Sequence, residues 1–254
     1  MKKALSLFVL ATACLTAGAQ QAELLKDINP GPGSSYINYM TQLGDKVIFQ
    51  TTVTGSDNGP WVTDGTSEGT YMLKKLDSYS GPMVVFKNEV YFSGDDGTTG
   101  LELWKTDGTS EGTVIVKDIF PGSYGSRPGE LTVFNDALYF SGTHPDYGEE
   151  LCVLHVTDGQ SVISIYDITE GTASTKPGWL YPASGKLYFV GRDDRFLYYH
   201  DPLTGTTTRY TDVVKPGPAD DPYFADYNCS VYFRASKANP EPVNDFGVQL
   251  WKVL

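Results

Sequence analysis

Five times along this chain an apolar segment closes on phenylalanine: KVIFQT, EVYFSG, ALYFSG, KLYFVG and SVYFRA. These anchors are Phe49, Phe92, Phe140, Phe189 and Phe233, spaced by 43, 48, 49 and 44 residues. A recurrence of this length restricts the fold strongly. Each repeat is one supersecondary unit that cannot bury its apolar surface alone and must stack on its neighbours. Two further markers keep the same rhythm. One is LLKDI, MLKKL, IVKDI, IYDI and YTDV; the other is an ELW-like phrase centred on Trp61, Trp104, Cys152, Tyr198 and Trp251.

Each unit reads as four short strands. In the third they are GELTVF, ALYFSG, ELCVLHV and SVISIYDI, separated by ND, THPDYGE and TDGQ. Such β-branched and aromatic runs, bounded by Gly, Asp, Asn and Pro, are hairpin-forming segments. Leu138, Tyr139 and Phe140 are apolar in succession, which implies that both faces of the sheet are covered. No segment with a helical period follows the first residues.

The octapeptide TDGTSEGT occurs at Thr63–Thr70 and again at Thr106–Thr113. It reads as the hairpin between third and fourth strands. Asp-Gly supplies the tight turn, with Gly108 at positive φ and Gly112 expected to do the same. The hydroxyls of Thr106 and Thr113 are expected to satisfy loop amides. The drifted cousins TDGQSV and HDPLTGTT suit a structural turn better than a ligand loop.

Residues 1–19 read as a secretory signal: Lys2 and Lys3, an apolar run, then Ala17-Gly18-Ala19. Acylation at Cys14 is the minority alternative. Residues 20–254 then form a single domain. No later stretch is long and apolar enough for a transmembrane helix. The formal charge of −12 becomes −14 once two lysines leave (17 cations against 31 acids). A chain this acidic is a poor binder of nucleic acid or anionic membranes. Cys152 and Cys229 fall in non-adjacent units, so two buried thiols are expected, with no bridge.

The ends carry the closure argument. ELLKDI, near the start, is a fourth-strand phrase without its first three strands. VQLWKVL, at the end, is a third strand without its fourth. Pairing residues 23–28 with residues 248–253 would close a ring and hide its edges. The expected fold is therefore all-β: a five-bladed β-propeller of four-stranded antiparallel blades.

The phrases GLELWKTDGTSEGTVIVKDIFPGS and PGELTVFNDALYFSG resemble the bacterial ELWxxDGT-repeat family, found in exported proteins, mainly of Bacteroidota. The resemblance spans the chain after the signal and fades in units four and five. There Asp201-Pro202 replaces Asp-Gly, and unit three already carries Cys152 in place of Trp. The resemblance implies an exported propeller-like protein and carries no catalytic residues.

Function has to be sought in the loops. Those between second and third strands share one face with the blade-to-blade connections. They carry Asp57, Asp96, Asp146, Asp193, Asp194 and Asp245; the connections add Asp27, Asp118, Asp167 and Asp212, with Lys75 in the remaining unit. These aspartates read first as Asx caps of loop amides. A second reading has some of them chelate Ca²⁺. A third has them bind a glycan or peptide together with Tyr36, Tyr79, Tyr124, Tyr147, Trp179 and Tyr223.

Catalysis has thinner support. The innermost strands offer only Glu130 and Asp226 as a carboxylate pair. His144, His155 and His200 show no metal-ligand spacing, and His155 and His200 read as surface residues. No metal site, nucleophile elbow, P-loop or dinucleotide fingerprint is present. The sequence thus points to an exported, non-enzymatic recognition or scaffold propeller with a protein or glycan partner. The alternative is a glycoside hydrolase-like enzyme at the channel mouth.

Overall fold

Alternate side chains of a strand point to opposite faces. A strand as apolar as Leu138-Tyr139-Phe140 therefore needs a neighbour on each side. The computed structural model describes residues 22–53, 58–210, 214–215, 221–237 and 249–253, and it supplies those neighbours. The described residues form antiparallel sheets and no helix.

The first blade runs β1 (Ile37–Leu43), β2 (Lys46–Thr51), β3 (Gly59–Thr63) and β4 (Tyr71–Met72). The second is β5 (Ser78–Phe86), β6 (Glu89–Asp95), β7 (Glu102–Thr106) and β8 (Val114–Lys117). The third is β9 (Gly129–Phe134), β10 (Ala137–His144), β11 (Gly148–Thr157) and β12 (Gln160–Tyr166). The fourth is β13 (Pro177–Ala183), β14 (Lys186–Gly191), β15 (Leu197–Asp201) and β16 (Thr206–Arg209). Each is a simple up-and-down meander.

The fifth differs. A two-residue strand, β17 (Val214–Lys215), pairs with the far end of β19 (Ser230–Lys237), which also pairs with β18 (Ala225–Tyr227) and β20 (Gln249–Val253). Its fourth-strand place beyond β20 is unfilled among the described residues.

The blades stack in chain order, β1 beside β5, β5 beside β9 and β9 beside β13, which makes the fold propeller-like. On β10, Leu138 and Phe140 turn to the second blade with Cys152 and Leu154, meeting Phe86, Tyr91, Leu103 and Ile119. Ala137 and Tyr139 turn the other way with Leu151 and Val153, onto Leu187, Phe189 and Tyr198. All of these β10 and β11 side chains are buried. Full burial of one such side chain contributes about 1.5–3 kcal/mol, so the junctions between blades are the core of this protein.

The octapeptide forms the expected turn, twice over. Gly65 and Gly108 adopt φ 89° and 86°. Thr66 and Thr109 donate amide and hydroxyl to Asp64 and Asp107, and Thr106 Oγ1 accepts from the Gly108 amide at 3.1 Å, whereas Thr113, expected to satisfy an amide, donates its hydroxyl to the Thr109 carbonyl at 2.6 Å. These bonds hold both aspartate carboxyls below their ordinary range. Gly112 is a correction: it is absent from the left-handed region, and glycine is required there for space. A β-carbon at Gly112 would lie 2.1 Å from the Asp107 carboxylate.

Two other expectations change. Cys152 is buried, but Cys229 is exposed; both are free thiols. His155 is exposed as expected, whereas His200 is fully buried against Tyr139 and Tyr166. That burial lowers the His200 pKa to about 4.

Closure by strand pairing is not formed among the described residues. Residues 22–27 join no ladder, and β20 pairs only with β19 among the described residues. The opening segment lies on the first blade instead. Lys26 Nζ donates to the carbonyls of Ser67 and Thr70, and Ile28 packs on Phe49, Trp61 and Met72. Ile28 thereby occupies on the first blade the place that Ile119 takes on Phe140 and Cys152 of the third.

Candidate functional site

Every innermost strand of the first four blades slips register near its start, between Asn38 and Thr41, Ser80 and Val84, opposite Tyr139–Ser141, and between Gly178 and Tyr181. The slip is a bulge with one residue in the left-handed region. Counting four back from the strand end, that place holds Tyr39 (φ 49°), Glu130 (φ 58°), Trp179 (φ 55°) and Tyr223 (φ 45°); the second blade uses Gly81 (φ 72°) ahead of Pro82. Three residues earlier stand Tyr36 (φ 38°), Arg127 (φ 52°) and Lys176 (φ 51°), with Tyr79 in the second blade. The bulge recurs in each unit and is architectural. The side chains it presents are not repeated from blade to blade.

Between the third and fourth blades these positions converge. Glu130 Oε2 accepts the Trp179 amide at 2.9 Å, and its Oε1 accepts from the Arg192 guanidinium. That guanidinium lies 5.3 Å from the centre of the Trp179 ring. The backbone supports the contact: the Arg192 amide donates to the Lys176 carbonyl at 3.1 Å, and the Lys176 amide to the Glu149 carbonyl at 3.0 Å. Lys176 Nζ reaches Asp193 at 2.9 Å, which raises the lysine pKa. The Arg127 guanidinium sits 4.3 Å from the centre of the Tyr124 ring.

On the outer side of the same loop a cleft of about 610 Å³ is bounded by Glu170, Ser174, Asp193, Asp194, Tyr198 and Arg209. Asp194 accepts from the Phe196 amide at 3.0 Å and the Tyr198 hydroxyl at 2.5 Å, and faces Arg209 at 3.5 Å. Burial, then the neighbouring Asp194, pushes the Tyr198 phenol up.

The expected acidic residues divide. Asp193 and Asp194 line the cleft. Asp96 caps its own loop, accepting from the Thr98 amide and hydroxyl, bonds that lower its pKa. Asp146 is exposed beside His144 and donates its amide to Nδ1 at 3.1 Å. Asp57 and Asp245 lie outside the described residues, as do Asp212 and Cys14. Glu130 and Asp226 have separate partners. Asp226 accepts from the Tyr181 hydroxyl at 2.9 Å, one residue from the β18–β19 turn. Glu130 stands four residues from the corresponding β9–β10 turn. The difference of three positions is roughly 10 Å along the strand direction. No group of three His, Cys, Asp or Glu among the described residues is placed to hold a metal ion.

Two buried acids were missed from sequence. Glu102 accepts the amides of Phe120 and Ser126 at 2.9 Å each, and the Ser126 hydroxyl. Glu150 accepts the Thr175 amide at 2.9 Å, the Thr175 hydroxyl at 3.1 Å and the Thr169 amide at 3.4 Å. Both fasten a blade-to-blade connection to the strand that begins the ELW-like phrase. The glutamate of that phrase was the available signal. Arg192 was missed as well, because only tertiary contact joins it to Glu130.

No family model and no curated protein matches this chain. Among solved structures it is similar to a catalytically inactive virginiamycin B lyase from Staphylococcus aureus with quinupristin, at 12% identity and a TM-score of 0.47, over 90% of this chain and 73% of that one. It is also similar to the polysaccharide lyase Uly1, at 11% identity and TM-score 0.41, over 85% of this chain and 57% of that one. A third is an engineered GH43 glycoside hydrolase with endo-xylanase and exo-arabinofuranosidase activity, at 11% and 0.31, over 80% and 48%. This chain thus spans about half the length of the last two.

Proposed function

We propose that this chain is an exported recognition module that takes a glycan on the inner rim of its third and fourth blades. One observation carries the reading: Trp179, only partly buried and at φ 55°, is clamped by Glu130 and overlaid by Arg192. A bulky residue in that region costs about 1–3 kcal/mol and persists only where its surroundings hold it. Trp179 packs in part on Val190, Leu197, Phe233 and Ala235, and its uncovered part offers a sugar apolar contact while the Arg192 guanidinium and Glu130 carboxylate beside it offer hydrogen bonds. Retention on a panel of insoluble polysaccharides, with and without EDTA, tests this. Trp179→Ala should release at least one polysaccharide that the parent chain retains. Equal retention by both, or none by either, would refute the reading. Loss of retention in EDTA would assign Ca²⁺ a part in it.

The hydrolase alternative requires two carboxylates about 5–9.5 Å apart. The different heights of Glu130 and Asp226, and their separate partners, favour binding over hydrolysis.

We also propose that the ring closes by residues 23–27 pairing with β20. What supports this is Ile28, already seated as its counterparts are at the interior junctions. By the register of Leu103 with Lys117, Leu250 would lie opposite Lys26. Lys26→Cys with Leu250→Cys should then form a disulfide in air, seen as a faster-migrating band without reductant; free thiols in that pair would sink closure.

A further inference from the structure

The rim at the mouth is divided chemically, and the division bears on the charge of what binds there. At the upper bulge level the first two blades present Tyr36 and Tyr79, and the next two present Arg127 and Lys176. The five arginines of the chain are Arg127, Arg192, Arg195, Arg209 and Arg234; none lies in the first two blades, and three belong to the fourth blade and its loop. This bias stands against a net charge of −12. Arg127 and Arg195 are exposed and form no ion pair among the described residues. Lys176 and Asp193 form an exposed pair, and such a pair contributes little to stability. A cation held in that way is available for exchange to an incoming anion. Arginine adds a planar fork that meets a carboxylate or sulfate through two parallel bonds.

Resting on the glycan reading above, we infer that the glycan is acidic, its carboxylate or sulfate taken by Arg127 and Lys176 while its ring lies on the Trp179 side of the rim. An acidic protein repels such a polymer at a distance, so recognition depends on these short-range contacts. Neither the aspartate-based nor the Ca²⁺-based account of the rim calls for this charge.

Affinity electrophoresis of the full chain in gels containing polygalacturonate, dextran sulfate or uncharged dextran tests the inference. One or both acidic polymers should retard the chain, and which one does so separates carboxylate from sulfate. Arg127→Gln with Lys176→Gln should weaken that retardation about tenfold, and Arg127→Lys with Lys176→Arg should restore it. Circular dichroism establishes that each variant is folded. If dextran retards the chain as strongly as the acidic polymers, and the double glutamine variant behaves as the parent, the acidic assignment falls and the glycan reading stands. If none of the three polymers retards the chain while a polysaccharide of the panel above still retains it, the acidic assignment alone falls; if that panel fails as well, both fall.

Discussion

The junction between the second and third blades and the two outermost blade faces are built from the same repeat, yet they differ sharply. At the junction, Phe140, Leu138 and Leu154 are wholly buried against Tyr91 and Leu103. On the first blade's free side, Met40 is 67% exposed, and on the fifth blade's, Leu250 is 77% exposed. The repeat gives each blade two apolar faces; a neighbouring blade buries one wholly, whereas on the first blade's other side Ile28 covers Phe49 and Trp61 and leaves Met40 exposed. The lesson is that stability here is a property of junctions, as in other proteins whose units contact only adjacent units.

The largest expected effect is at the junction. Phe140→Ala should cost about 3–5 kcal/mol in urea unfolding, because it leaves a cavity between two blades. Met40→Ala should change stability by less than about 0.5 kcal/mol. A comparable loss at both positions would break the contrast and bury the free face in solution.

The second test uses the paired acids. Glu150 Oε2 has no hydrogen-bond partner among the described residues, whereas both oxygens of Glu102 are engaged. Burial raises both carboxyls, Glu150 from 4.5 to about 7. Between those values the folded chain keeps a proton that the unfolded chain has released, so stability must fall as pH rises through this window. The contribution is present below pH 4.5 and lost as pH rises through about 7, up to about 3 kcal/mol in all. Melting temperature followed from pH 4.5 to 8 should decline in the parent chain and decline less in Glu150→Gln. Parallel profiles would remove Glu150 as the source.

A smaller loss than at Phe140 or Glu150 is expected at the octapeptide turn, whose Gly108 lies at the edge of the first junction beside Leu43 and Ile48. Gly112→Ala forces the Asp107 carboxylate out of its place and should cost about 1–2 kcal/mol by thermal melting, with fold and junctions intact. A greater loss than at Phe140 would make the turns, and not the junctions, the seat of stability.

Much of the architecture was legible beforehand because it depends on period. Strand count, meander order and the Asp-Gly turns follow from local alternation and turn chemistry, and they recur wherever the sequence does. The turn's second glycine was misread because positive φ and lack of room for a β-carbon give the same letter. Of the rim acids, Asp193 and Asp194 do line a cleft, while Asp96 caps its loop through the same Asp-Gly-Thr that the octapeptide uses, a signal its flanking residues carried. Glu102 and Glu150 were passed over because a glutamate in a strand reads as solvent-facing until its connection folds onto it.

What the sequence by itself determined is the repeating unit: its strands, its turns and the apolar character of both its faces, all set by contacts within about fifty residues. The tertiary structure alone decided which side chains meet across units. Glu130 finds Arg192 and Trp179 from another blade, and Lys26 finds the carbonyls of the first octapeptide. Hydrogen bonds and ring contacts require positions good to a fraction of an ångström, and only the stacking of whole blades fixes positions that finely.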